Sequence, residues 1–127
     1  MSAARRASLI VAALLVVAAC GGAQAATTET AALPEPDIDG TEARALVESG
    51  AMLLDVTPAS RAERSGIEGR THIPLPELEA RLVELPRDRT IVVYCLGGRG
   101  SPRAAALLRE RGYEVRLLGA RARWDGP

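Results

Sequence analysis

The chain has 127 residues, and its 16 arginines, with no lysine, balance 16 acidic residues for a formal net charge of zero. That length allows one domain, and no basic stripe with interleaved aromatics is present, which excludes a nucleic-acid surface. With no Phe, two Tyr and one Trp, the core has to be built from Leu, Val, Ile and Ala.

The N-terminus reads as an address. Arg5 and Arg6 precede an uncharged apolar run from Ala7 to Ala19, shorter than the roughly 20 residues of a membrane span, which is signal-peptide geometry. Val17-Ala18-Ala19-Cys20 has the form of a bacterial lipobox. The expectation is a signal peptide over residues 1–20, lipidation of Cys20, and anchoring through that lipid at the periplasmic side of the cell envelope. Ala23-Gln24-Ala25 offers the alternative, cleavage after Ala25 and a soluble periplasmic or secreted protein. Residues 21–36 are small, polar and end in prolines, and read as a flexible linker. Residues 37–127 are expected to fold. In that domain Cys95 is the one cysteine, so no internal disulfide is possible.

Thr41 can cap a helix that places Ala43, Leu46 and Val47 on one face and ends near Gly50. Ala51–Val56 is a short apolar run that reads as a buried strand. A turn-rich stretch over Thr57–Thr71 leads to a very short strand at His72-Ile73. Pro76 opens a predicted helix with Leu78, Leu82 and Leu85 in helical spacing. Thr90–Cys95 is a β-branched, buried strand. Leu96–Gly100 is a glycine-rich loop, Ser101 an N-cap candidate with Pro102 at N1, and Gly112 the C′ residue of the helix between them. Glu114–Leu118 is the last strand. Alternating strands and helices predict an α/β layer with a mainly parallel sheet.

Chemistry concentrates at one junction. Cys95 ends a buried strand, a glycine loop follows, and a helix begins. Ligands of parallel sheets bind at such strand ends. Glycines allow several backbone N–H groups to face one point, and the helix start adds about half a positive charge there. Those features suit a thiolate or an anionic persulfide on Cys95, with Arg99 and Arg103 adding positive charge. The plain alternative is a small buried hydrophobe at a strand end. Asp55, at the end of its own strand, reads as support for the loop or a nearby turn. His72, the only histidine, reads as structural, and Trp124 as a packing anchor. No His/Cys cluster suggests a metal. Neither a G-x-G-x-x-G nor a Walker pattern suggests a nucleotide, so no cofactor is expected.

Taken together, MLLDV ending at Val56, GIEGRTHIPL from Gly66, IVVYC with LGGRGS, and AAALLRERGYEVRLLGA with Trp124 resemble the rhodanese homology domain over about Asp37 to Trp124. The resemblance implies a five-stranded, mainly parallel sheet flanked by helices. It also implies sulfur transfer through a persulfide on Cys95, with Leu96, Gly97, Gly98, Arg99, Gly100 and Ser101 holding the substrate and Asp55 and Arg103 in support. The implied partners are a small sulfur donor and a thiol or cyanide acceptor, met by a monomer. Departures from the family pattern are specific. Gly100 stands where the loop usually has arginine, with Arg99 one place early. Thr57 replaces the arginine of Asp-Val-Arg, and Arg61-Ala62 replaces an acidic-aromatic pair. A catalytically impaired binding module is therefore the alternative function. A cysteine phosphatase would need a longer loop ending in arginine.

Overall fold

The computed structural model describes residues 32–127. The expected signal segment, Cys20 and most of the linker lie outside these residues. No described helix is long and apolar enough to cross a membrane.

Helix α1 spans Gly40–Glu48 and β1 Met52–Asp55. A 3-10 turn at Ala59–Arg61 leads into the short α2, Ala62–Ser65, inside the turn-rich stretch. Strand β2 is Thr71–His72 and α3 Leu75–Leu78. Strand β3 is Ile91–Cys95, α4 Ser101–Glu110 and β4 Val115–Ala120. A 3-10 turn at Arg121–Asp125 carries Trp124.

The four strands pair in parallel in the order β2-β1-β3-β4. That is one strand fewer, among the described residues, than the resemblance implies. Residues 37–38 do run beside β4, where Asp37 N and Ile38 N both donate to Leu117 O. Leu117 N, however, donates to the Asp37 side chain at 2.5 Å. A carboxylate thus occupies the place of a strand carbonyl, and the ladder does not extend.

Every β3 residue is buried because both faces of the sheet are covered. Alternation sends Ile91, Val93 and Cys95 into the cluster with Leu54, Ala104 and Leu108 of α4. Val92 and Tyr94 join Ile38, Ala43 and Leu118 on the α1 side. Parity therefore decides that Cys95 faces α4 and its loop.

Three local expectations change. Asp39, not Thr41, caps α1, accepting from Glu42 N at 2.8 Å. The predicted helix from Pro76 starts at Leu75 and gives way after Leu78 to a 3-10 segment, Glu79–Glu84, with Arg81 at φ −114° and ψ 18°. Pro86 holds Leu85 extended and ends it. Gly100 is the N-cap residue of α4, Ser101 its first residue, and Pro102 lies one place further in. The Ser101 side chain turns inward and donates to Gly119 O at 3.0 Å.

Candidate active site

Strand order 2-1-3-4 means that the chain leaves β1 to one side and returns to build β3 on the other. The reversal point lies between the carboxyl ends of β1 and β3, where open α/β sheets leave a crevice. Asp55-Val56-Thr57 and Cys95-Leu96 meet there.

Asp55 has no solvent exposure, and a buried carboxylate has to be compensated. Its Oδ1 accepts from Thr57 N at 2.9 Å and Thr57 Oγ1 at 2.5 Å. Its Oδ2 accepts from Ser65 Oγ at 2.6 Å and pairs with Arg70 Nε at 3.0 Å. Thr57 Oγ1 then accepts from Leu96 N at 2.8 Å. A carboxylate–hydroxyl–amide chain therefore ties the end of β1 to the first residue after Cys95. His72 Nε2 lies 2.7 Å from Thr57 O. A carbonyl only accepts, so that nitrogen carries the proton and the imidazole braces the same corner instead of serving Cys95 as a base. Tyr94 OH donates to Ser65 O at 2.7 Å. Burial first, and the Asp55 charge next, raise the Tyr94 phenol well above its usual range.

Cys95 is buried, and its Sγ accepts from Gly98 N at 3.0 Å. The loop achieves this through Gly98 at φ +81°, a left-handed conformation. A Cβ there would also come within 3.2 Å of Ala120 Cβ. The amide of Leu96 is engaged by Thr57 and does not face the sulfur. The start of α4 follows directly and adds the positive end of its dipole.

Above the thiol is a cavity of about 360 Å³. Val56, Pro58, Leu75, Pro76 and Leu96 supply its apolar lining, and Cys95 lines it too. Arg61 and Arg99 supply its charge, and no acidic residue lines it. Of the loop positions expected at the site, Cys95, Leu96, Gly97, Arg99 and Gly100 line the cavity. Gly98 contributes its N–H to the sulfur. Ser101 is buried and bonded to β4, outside the lining. Arg103 is exposed on α4 and also stands outside it.

The family model for the rhodanese-like domain matches residues 39–124. The chain belongs to the rhodanese-like family. Among rhodanese-like relatives, the thiosulfate sulfurtransferase PspE of Escherichia coli is 34% identical over 62 residues, covering 47% of this chain and 60% of its own length. An HTH-type transcriptional regulator of Mycobacterium tuberculosis, Rv0324, is 36% identical over 96 residues, covering 73% of this chain and 42% of its own. The solved human single-domain sulfurtransferase TSTD1 superposes with a TM-score of 0.61 at 27% identity, covering 72% of this chain and 96% of that one. The chain spans about half the length of the first curated relatives it matches. Sulfurtransferases and a putative sulfur carrier are among the relatives, so the family is one of sulfur handling.

Sequence reasoning missed Thr57, Arg61 and Leu75 as parts of this rhodanese-like site. The signal for the first two was present in the departures from the family pattern at those positions. Leu75 gave none, because an apolar residue before Pro76 looks the same whether it lines a cavity or a core.

Proposed function

We propose that this protein is a sulfurtransferase in which Cys95 carries a sulfane sulfur as a persulfide. The observation that carries the reading is the Cys95 sulfur, held by Gly98 N at 3.0 Å on the floor of an acid-free cavity with two arginines. With thiosulfate as donor, the Cys95 thiolate attacks the outer sulfur. The bond between the two donor sulfurs breaks, sulfite leaves with the electron pair, and Cys95 holds an S–S⁻ group. A thiol or cyanide acceptor then attacks the outer persulfide sulfur and releases the Cys95 thiolate. One cysteine suffices, because the acceptor supplies the second nucleophile.

The experiment is intact-mass analysis of the folded domain after exposure to thiosulfate. Wild type gains one sulfur atom, lost again on addition of cyanide, and Cys95→Ser gains none. Absence of the adduct in wild type would favour a binding module instead, a reading supported by Gly100 at the place of the family's loop arginine.

We further propose that the protein sits at the periplasmic side of the bacterial envelope, held by a lipid on Cys20. The support is the Val17–Cys20 motif, whose first three residues end a 13-residue apolar run. It acts as a monomer. Among the described residues the exposed large hydrophobics are the scattered Leu33 and Val83, which do not form a docking patch.

A further inference from the structure

Arg61, Arg64, Arg99 and Arg103 are exposed, and their side chains make no hydrogen bond or ion pair among the described residues. Every other described arginine is engaged within the domain. The four free cations come from two segments only, residues 58–65 after β1 and residues 95–103 from Cys95 into α4. Both segments contribute to the cavity lining. Pro58, Arg61, Pro76, Gly97 and Arg99 line the cavity and are also exposed, so they mark where it opens. Side chains of a helix lean toward its N-terminus, which tips Arg64 toward Arg61 and Arg103 toward the Cys95 loop. Glu63 is the one acid in the two segments. It stands off the side that Arg61 and Arg64, three residues apart, share.

A ligand inside the cavity meets Arg61 and Arg99 but not Arg64 or Arg103, which lie outside the lining. Four like charges gathered around one opening repel one another, and only an anionic partner wider than the cavity relieves that repulsion for all four. We propose that these arginines form a docking face for an acidic polypeptide acceptor, which lays carboxylates across the opening and brings its own thiol to Cys95. This deepens the sulfurtransferase reading and rests on it. The acceptor thiolate attacks the outer sulfur of the Cys95 persulfide. The bond from Cys95 Sγ to that sulfur breaks, Cys95 leaves with the electron pair as a thiolate, and the acceptor carries S–S⁻. Charge and electrons balance with no oxidant or reductant. An anionic lipid surface on the same face would cover Cys95 and offer it no nucleophile. No aromatic side chain stands on the exposed part of the two segments to stack on a nucleic-acid base.

The test measures the rate at which thiosulfate-loaded protein passes sulfur to synthetic peptides that share one cysteine and carry glutamate, glutamine or lysine around it. The small neutral thiol 2-mercaptoethanol is the reference acceptor. At low salt the wild type should favour the glutamate peptide over the glutamine peptide about tenfold, and the preference should fade at about 0.5 M salt. Arg64→Gln together with Arg103→Gln should lower the glutamate-peptide rate several-fold relative to 2-mercaptoethanol. Both rates are read on one protein sample, so the folded fraction cancels. Comparing wild type and variant on the same peptide cancels that peptide's own thiol reactivity. Arg64→Glu together with Arg103→Glu should turn the preference toward the lysine peptide. An equal loss for the glutamate peptide and 2-mercaptoethanol in the glutamine variant overturns the proposal. It is also overturned if the peptides are not distinguished while phosphatidylglycerol vesicles slow Cys95 alkylation in the wild type and not in the variant, which assigns the arginines to a membrane. Transfer to 2-mercaptoethanol with no preference among the peptides overturns the docking face and leaves the persulfide on Cys95 standing. No transfer to any acceptor overturns both.

Discussion

Thr57→Val removes one hydroxyl and keeps the β-branched shape, so it isolates the link between Asp55 and the Cys95 loop. In the wild type that hydroxyl donates to Asp55 Oδ1 at 2.5 Å and accepts from Leu96 N at 2.8 Å. Thr57 has no solvent exposure, so water does not replace it freely. The valine variant strips a fully buried carboxylate of one of its donors and leaves the Leu96 amide without its partner. A hydrogen bond to a charged group contributes about 1.5–3 kcal/mol, and an orphaned donor costs about 1–3 kcal/mol. Because Leu96 is only half-buried, the low end applies to its amide, and the total should be about 2.5–4 kcal/mol. Thr57→Ser keeps the hydroxyl and loses one buried methyl, at about 1 kcal/mol. Urea unfolding monitored by circular dichroism measures both, with m unchanged. The rate of Cys95 alkylation by iodoacetamide in native buffer reports the loop. Thr57→Val should change that rate several-fold, and Thr57→Ser should restore it. If serine costs as much stability as valine, or valine leaves both stability and alkylation untouched, the hydroxyl does not hold the loop and the reasoning fails.

Gly98→Ala should cost about 1–2 kcal/mol through the left-handed backbone alone, with more from the 3.2 Å approach to Ala120 Cβ, and should slow sulfur uptake by Cys95 in the mass assay. Tyr94, whose folded-state phenol is raised above the usual value near 10, predicts alkaline instability. Above pH 10 the unfolded chain releases that proton while the folded one keeps it, so stability falls by up to about 1.4 kcal/mol per pH unit until the folded phenol ionises. Denaturant midpoints followed from pH 9 to 11 should show the decline, and Tyr94→Phe should flatten it; an identical decline in both proteins would place its cause elsewhere. Cys20→Ala should release the domain from the membrane fraction or leave the precursor unprocessed. A soluble mature protein beginning at Ala26 would show instead that cleavage follows Ala25.

The frame of this protein was legible in local pattern. Thr90–Cys95 is rich in β-branched residues and carries no charge, as suits a strand covered on both faces, and Ile91–Cys95 is that strand. Gly50 and Gly112 stand just past the ends of α1 and α4, as their positions after helical runs suggest. Cys95 before Gly97-Gly98 and a helix start pointed to the cavity that Cys95 and its loop line, because strand end, loop and helix start are contiguous in the chain. What failed to show were features made between distant segments. Leu96 N meets Thr57 Oγ1 across 39 positions, and Ser101, a plausible cap in local context, faces Gly119 across 18. Asp37 supplies a side-chain oxygen to Leu117 N across 80 positions, so residues 37–38 add no fifth strand to the four of the described residues. Periodicity, turn chemistry and caps are set by neighbours within a few residues and can be read along the chain. The partner of a buried hydroxyl or carboxylate depends on which strand ends the crossover brings side by side, so the Asp55–Thr57–Leu96 link and the apolar wall around Leu75 exist only once the sheet is assembled.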